Sequence, residues 1–84
     1  MTTLEITNKL KEIILPYVKN KVAFDNLTET TDFINDLQIN SANLVDVILD
    51  IEEIFKIDID NEAMEKMLDV RSAITIIETK LAEK

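Results

Sequence analysis

A small all-α bundle is the fold this sequence predicts, and three observations carry it. Apolar residues recur at helical spacing in three separate stretches, and no segment alternates convincingly as a strand. The chain also has no glycine and one proline, which leaves tight hairpins little to turn on. Its 84 residues predict one domain, spanning 1–84, near the lower size limit for a self-sufficient core.

The first helix is expected from Leu4 to about Leu15. Ile6, Leu10, Ile13, Ile14 and Tyr17 form its apolar side, and Thr2 or Thr3 can cap it. Pro16 has no N–H to donate and disfavours helical geometry at Leu15, so it should end or kink this helix. Residues 19–39 then read as a long first loop that packs down on the core through Val22, Phe24, Leu27, Phe33, Ile34, Leu37 and Ile39. The second helix should run from about Ser41 to Phe55, with Leu44, Val47, Ile48, Ile51 and Phe55 on one face. Lys56 to Asp60 breaks that period and reads as an extended connector. A short helical turn from Asn61 to Met67 buries Met64 and Met67. Asp69 can cap a last helix whose apolar face is Val70, Ala73, Ile74, Ile77 and Leu81.

Composition excludes several classes of function. A net charge of −8 repels phosphates and argues against nucleic acid, while it suits basic protein partners. No apolar run approaches the roughly 18 residues of a membrane span, and the N-terminus lacks a signal-peptide pattern. With no cysteine there is no disulfide framework or thiolate metal site, which fits a cytoplasmic protein. Asp58-Ile59-Asp60-Asn61-Glu62 spaces oxygen ligands as a calcium loop does. Ala63 and Asp69, however, stand where such a loop needs glycine and glutamate, so no metal site is expected.

Ser41 is one of two serines and stands at the start of the second helix. With no histidine and no cysteine in the chain, its hydroxyl lacks the usual activating base, so a catalytic role is not expected. A serine here is an ordinary cap or a point that another enzyme modifies. Tyr17 and Ser72 have no evident partner and read as structural. Asp46, Asp50 and Glu53 fall at i, i+4 and i+7 and should form an exposed acidic stripe.

This layout resembles the acyl carrier protein family over nearly the whole chain. The strongest similarity lies in Asp36-Leu37-Gln38-Ile39-Asn40-Ser41, Val45-Asp46, Ile51-Glu52-Glu53-Ile54-Phe55, Ile57-Asp58-Ile59 and Glu62 to Met67. The resemblance implies a four-helix bundle of three main helices, one short helix and a long first loop. It implies a covalent 4′-phosphopantetheine, taken from coenzyme A by a phosphopantetheinyl transferase and esterified to Ser41, whose thiol carries acyl thioesters. The protein would then be no enzyme. It would be a monomeric, cytoplasmic carrier serving a ketosynthase, dehydratase, acyltransferase or ligase of fatty acid, lipid or polyketide-type synthesis, without inserting into a membrane.

The same resemblance assigns partner recognition to Asn40, Asn43, Asp46, Asp50 and Glu53, and an acyl pocket to Ile51, Ile59, Met64, Met67 and Ala73. Asn40-Ser41-Ala42-Asn43 departs from the family's Asp-Ser-Leu-acid pattern, which implies a specialised member. Met64 stands where the family usually has alanine, which implies a reshaped pocket. The altered flanks also motivate a second reading, a cofactor-free acidic adaptor that keeps the fold. A carrier of amino acids is a third reading, disfavoured because the glycine-glycine-x-serine pattern is absent.

Overall fold

The computed structural model describes residues 2–84, and its first helix, α1 (Thr3–Ile14), starts where a capping box can form. The Thr2 hydroxyl accepts from the Glu5 N–H at 3.1 Å, while the Glu5 carboxylate accepts from the Thr2 N–H at 3.1 Å. The backbone N–H of Thr2, and then its hydroxyl, hold the Glu5 carboxyl below the usual glutamate value. The cap therefore stabilises α1 above that value and is lost as pH falls through the lowered one. Ile6, Leu10, Ile13 and Ile14 are buried. The helix ends at Ile14 because Pro16 converts the next three residues into a 3-10 turn, Leu15–Tyr17.

The connection after this turn is not structureless. It contains a second helix, α2 (Lys21–Asp25), capped by Asn20, whose Oδ1 accepts from the Ala23 N–H at 3.1 Å. Phe24 and Leu27 are half-buried against the core, and Phe33, Leu37 and Ile39 are fully buried. Val22 and Ile34 do not pack down as expected: Val22 is 72% exposed and Ile34 also faces solvent. Backbone hydrogen bonds anchor the connection at both ends. Lys19 and Asn20 donate to the Leu37 carbonyl, Phe33 donates to Leu68, and Val70 donates to Thr31. These bonds supply partners that a buried loop would otherwise lack.

Helix α3 (Ser41–Phe55) has the bounds expected from its periodicity, and Val47, Ile48, Ile51 and Phe55 are buried. Without glycine, the chain leaves α3 through Lys56 in the left-handed region, φ 55°. The extended connector is held to α3 by Glu52, whose Oε2 accepts from the Ile59 N–H at 2.8 Å. Helix α4 (Asn61–Lys66) is short and capped by Asp60. Met67 just beyond it is fully buried, but Met64 is only half-buried, because a helix of under two turns can aim few of its residues inward. Helix α5 (Val70–Ala82) begins at the expected Asp69 cap. It buries Val70, Ala73, Ile74 and Ile77 and packs on α1 and α4; Leu81 is half-buried. Among the described residues there is no strand beyond one isolated bridge between Asp32 and Asp69, and no helix is long and apolar enough to cross a membrane. The fold is all-α: three long helices and the expected short one, with α2 added to the first loop.

Gln38, three residues before Ser41, also has positive φ, 57°. The turn there lets the Leu37 carbonyl face Lys19 and Asn20 while the Ile39 N–H reaches back to Phe33. A side chain with Cβ is strained in this region, whereas glycine is not. Gln38→Gly should therefore raise stability by about 1 kcal/mol, read as a higher urea midpoint. A lower midpoint would show that the Gln38 side chain contributes more than its backbone strain costs.

Candidate functional site

Ser41 is the first residue of α3 and is exposed, but it does not cap the helix. Asn40 does: its Oδ1 accepts from the Ala42 N–H at 2.8 Å, and its carbonyl accepts from the Leu44 N–H at 3.0 Å. The ordinary capping role that a serine here invites is thus filled by its neighbour. The Ser41 hydroxyl remains outside the cap, beside the first-turn N–H groups where the helix dipole favours an anion. No acidic residue lies in that first turn; the departures at Asn40 and Asn43 produce this. Asparagine caps a helix about as well as aspartate, so the exchange at 40 removes charge and keeps the cap.

The acidic stripe is not uniform. Asp46 and Glu53 are exposed, whereas Asp50 is half-buried and accepts a hydrogen bond from the Tyr17 hydroxyl at 3.2 Å. Tyr17 is therefore partnered, contrary to expectation, and ties the turn after α1 to the middle of α3. Ser72 meets Asp69 through its backbone N–H, at 2.8 Å. Burial raises the Tyr17 hydroxyl above the usual tyrosine value of 10.0, and the Asp50 carboxylate beside it raises it further. Its folded value lies above its unfolded one. The associated stability is complete below the unfolded value and is lost as pH rises through the folded one. Tyr17 is the only tyrosine and there is no tryptophan, so its absorbance reports this group alone. Titration should give a midpoint above the ordinary value. Asp50→Asn should lower that midpoint without normalising it, since burial is the larger cause. An unchanged midpoint would remove Asp50 from the account.

The residues assigned to an acyl pocket occupy the interior between α3, the connector, α4 and α5. Ile51, Ile59, Met67 and Ala73 are buried, at 0%, 8%, 1% and 0% exposure, and Met64 lies at the edge. Asp60 of the calcium-like run is engaged in the α4 cap and in a 3.8 Å ion pair with Lys80.

Sequence reasoning missed three exposed apolar residues of α3: Val45, Leu49 and Ile54. Their signal was present, since they are apolar positions left over once the buried face is assigned. They put aliphatic surface among Asp46, Asp50 and Glu53, a mixture that docking faces use.

No protein-family model matches the chain. Curated relatives do. An acyl carrier protein of Lactobacillus acidophilus (strain NCFM) is 37% identical over 79 residues, covering 94% of this chain and 96% of the relative. One from Coprothermobacter proteolyticus is 31% identical, covering 95% of each chain. One from a Picosynechococcus species is 36% identical, covering 90% of this chain and 91% of the relative. With this identity sustained over almost the full length of each, the chain belongs to the acyl carrier protein family.

Proposed function

We propose that residues 1–84 act as one carrier domain, with 4′-phosphopantetheine esterified to Ser41 and acyl intermediates held on its thiol. The observation that carries this reading is the exposed Ser41 hydroxyl at the first turn of a 15-residue helix, spared from capping by Asn40. The fit to the group is electrostatic. A phosphodiester there meets free N–H groups and the positive end of the dipole, with no first-turn carboxylate to repel it. When bound, the arm supplies the thiol that this chain lacks. The chain's own residues present it and sequester cargo; they catalyse nothing. The adaptor reading is not favoured, since the three relatives above are all named as carriers. The test is direct, because the chain has no cysteine. Incubation with coenzyme A and a phosphopantetheinyl transferase should introduce one thiol per chain, and persistent absence of any thiol across transferases of different classes would sink the proposal.

Asn40 and Asn43 would meet the transferase at the Ser41 end, and Asp46, Asp50 and Glu53 would meet basic patches on acyl-processing enzymes. Neutralising the exposed pair, Asp46→Asn with Glu53→Gln, should slow association with such enzymes several-fold. Added salt should slow the unaltered protein in the same way by screening long-range steering. Folding should survive, because exposed charges contribute little to it. Association rates indifferent to both treatments would leave the stripe as merely solvated surface. Ile51, Ile59, Met64, Met67 and Ala73 would line the space that an acyl chain enters.

A further inference from the structure

The cleft between the end of α4 and the first half of α5 is cationic in a chain that is otherwise acidic. Lys66, Arg71, Ser72, Thr75 and Ile76 line about 240 Å³ there, with no carboxylate among them and no residue of α3. In a chain of 17 acidic and 9 basic residues, that absence sets the cleft apart from the rest of the surface. Its polar side chains are also uncommitted. The Thr7 and Thr79 hydroxyls each donate to the carbonyl four residues back, at 2.8 Å, a bond that helical threonines commonly make. The Thr75 hydroxyl does not, although the Arg71 carbonyl stands at that position. Among the described residues, neither it, the Ser72 hydroxyl nor the Arg71 guanidinium has a hydrogen-bond or ion-pair partner. Lys66 is held only by an exposed pair with Glu62 at 3.6 Å, which contributes little. Asp69, the acidic residue between Lys66 and Arg71 in the chain, is turned to the α5 cap, where its Oδ1 accepts from the Ser72 N–H at 2.8 Å. The Arg71 N–H donates to the Glu29 carbonyl at 2.9 Å, so the backbone that carries the guanidinium is fixed.

We propose that this cleft binds a small organic phosphate, a soluble monoester with a short apolar body. A guanidinium fork engages two oxygens of an oxyanion at once. A phosphate monoester has a third terminal oxygen left for the Ser72 and Thr75 hydroxyls, whereas a carboxylate is used up by the fork. Lys66 adds a second positive charge, and half-buried Ile76 gives the ester's body an apolar floor. The volume falls below the roughly 300–1,000 Å³ usual for drug-sized ligands, so the ligand is small. A net charge of −8 repels an anionic lipid surface, which leaves a soluble ester rather than a lipid headgroup as the source. The inference does not depend on the modification of Ser41.

Arg71 is the one arginine in the chain, so in nitrogen-labelled protein its Nε–H resonance reports this site alone. Titration with butyl phosphate at constant ionic strength should move that resonance and the amides of Lys66, Ser72, Thr75 and Ile76 along one saturable curve. Inorganic phosphate and butyrate should each bind more weakly, and butanol should not bind. Arg71→Gln should weaken binding about tenfold or more, and Thr75→Val several-fold. Arg71→Lys should keep only part of the affinity, because the ammonium lacks the fork. Lys19→Gln, the same loss of charge at an exposed site elsewhere, should leave affinity unchanged. Arg71 and Thr75 are exposed, so the variants should keep the helical spectrum of the parent. The Arg71 resonance of the unaltered protein decides the matter even where a variant fails to fold. Any of five results would overturn the inference. These are an Arg71 resonance that moves no more with butyl phosphate than with chloride, shifts centred on the start of α3 or spread over all the lysines, full affinity in Arg71→Gln, butyrate or inorganic phosphate binding as tightly as the ester, and stronger attachment to vesicles carrying phosphatidic acid than to the soluble ester.

Discussion

Ser41→Ala abolishes covalent loading, whereas Ser72→Ala loads like the parent: this is the expected result with the largest effect. Both substitutions remove one hydroxyl, and these are the chain's two serines. Ser72 sits half-buried in the first turn of α5, where Asp69 supplies the cap. Stability makes the comparison clean. Because Asn40 caps α3, the loss of the Ser41 hydroxyl removes no cap, and alanine is well tolerated in a helix. Ser41→Ala should therefore unfold within about 0.5 kcal/mol of the parent. A loss of about 1 kcal/mol, the usual cost of deleting a cap, would mean that the hydroxyl has a structural role after all. Loading of Ser41→Ala would move the attachment point elsewhere.

The second large effect concerns the core. Met67 is buried to 1% exposure and Met64 is only half-buried, so the two methionines should respond differently to truncation. Met67→Ala should destabilise the unloaded protein by about 2–5 kcal/mol, because it empties space in the closed interior. Met64→Ala should cost less, about 1–2 kcal/mol, since part of that side chain already faces water. An acyl chain that enters between α3, α4 and α5 is a ligand of the folded state alone and should raise the melting temperature. In Met67→Ala a longer acyl chain should recover part of the loss by filling the cavity. Melting curves of holo and acyl forms over a series of chain lengths decide it. If acylation never raises the melting temperature, the cargo is not sequestered among Ile51, Ile59, Met67 and Ala73.

How much of this was legible in sequence depends on element length. Over α3, fifteen residues of strong periodicity placed both ends, and α1 and α5 were read within a residue or two. Helix α2 escaped because five residues are too few to show a period, although Asn20 before Ala23 and Phe24 was a capping signal. Met64 was misplaced for the same reason: in a helix as short as α4, spacing does not decide which residue faces inward. The bond between Tyr17 and Asp50 joins residues 33 apart in sequence, and no local pattern announces such a contact. Capping of α3 was ambiguous, since Asn40 and Ser41 are both preferred caps, and only backbone geometry separates them: Asn40 is extended, whereas Ser41 is already helical. That distinction bears on function, because it leaves the serine uncommitted.

The most direct measurement is the intact mass of the protein purified from its native host, followed by fragmentation to locate any addition. A carrier should show a substantial fraction heavier than the bare chain by one phosphopantetheine, with or without acyl cargo, and the addition should map to Ser41. Protein of bare-chain mass throughout, from a host that holds its matching transferase, would contradict the account and leave a cofactor-free member of the family.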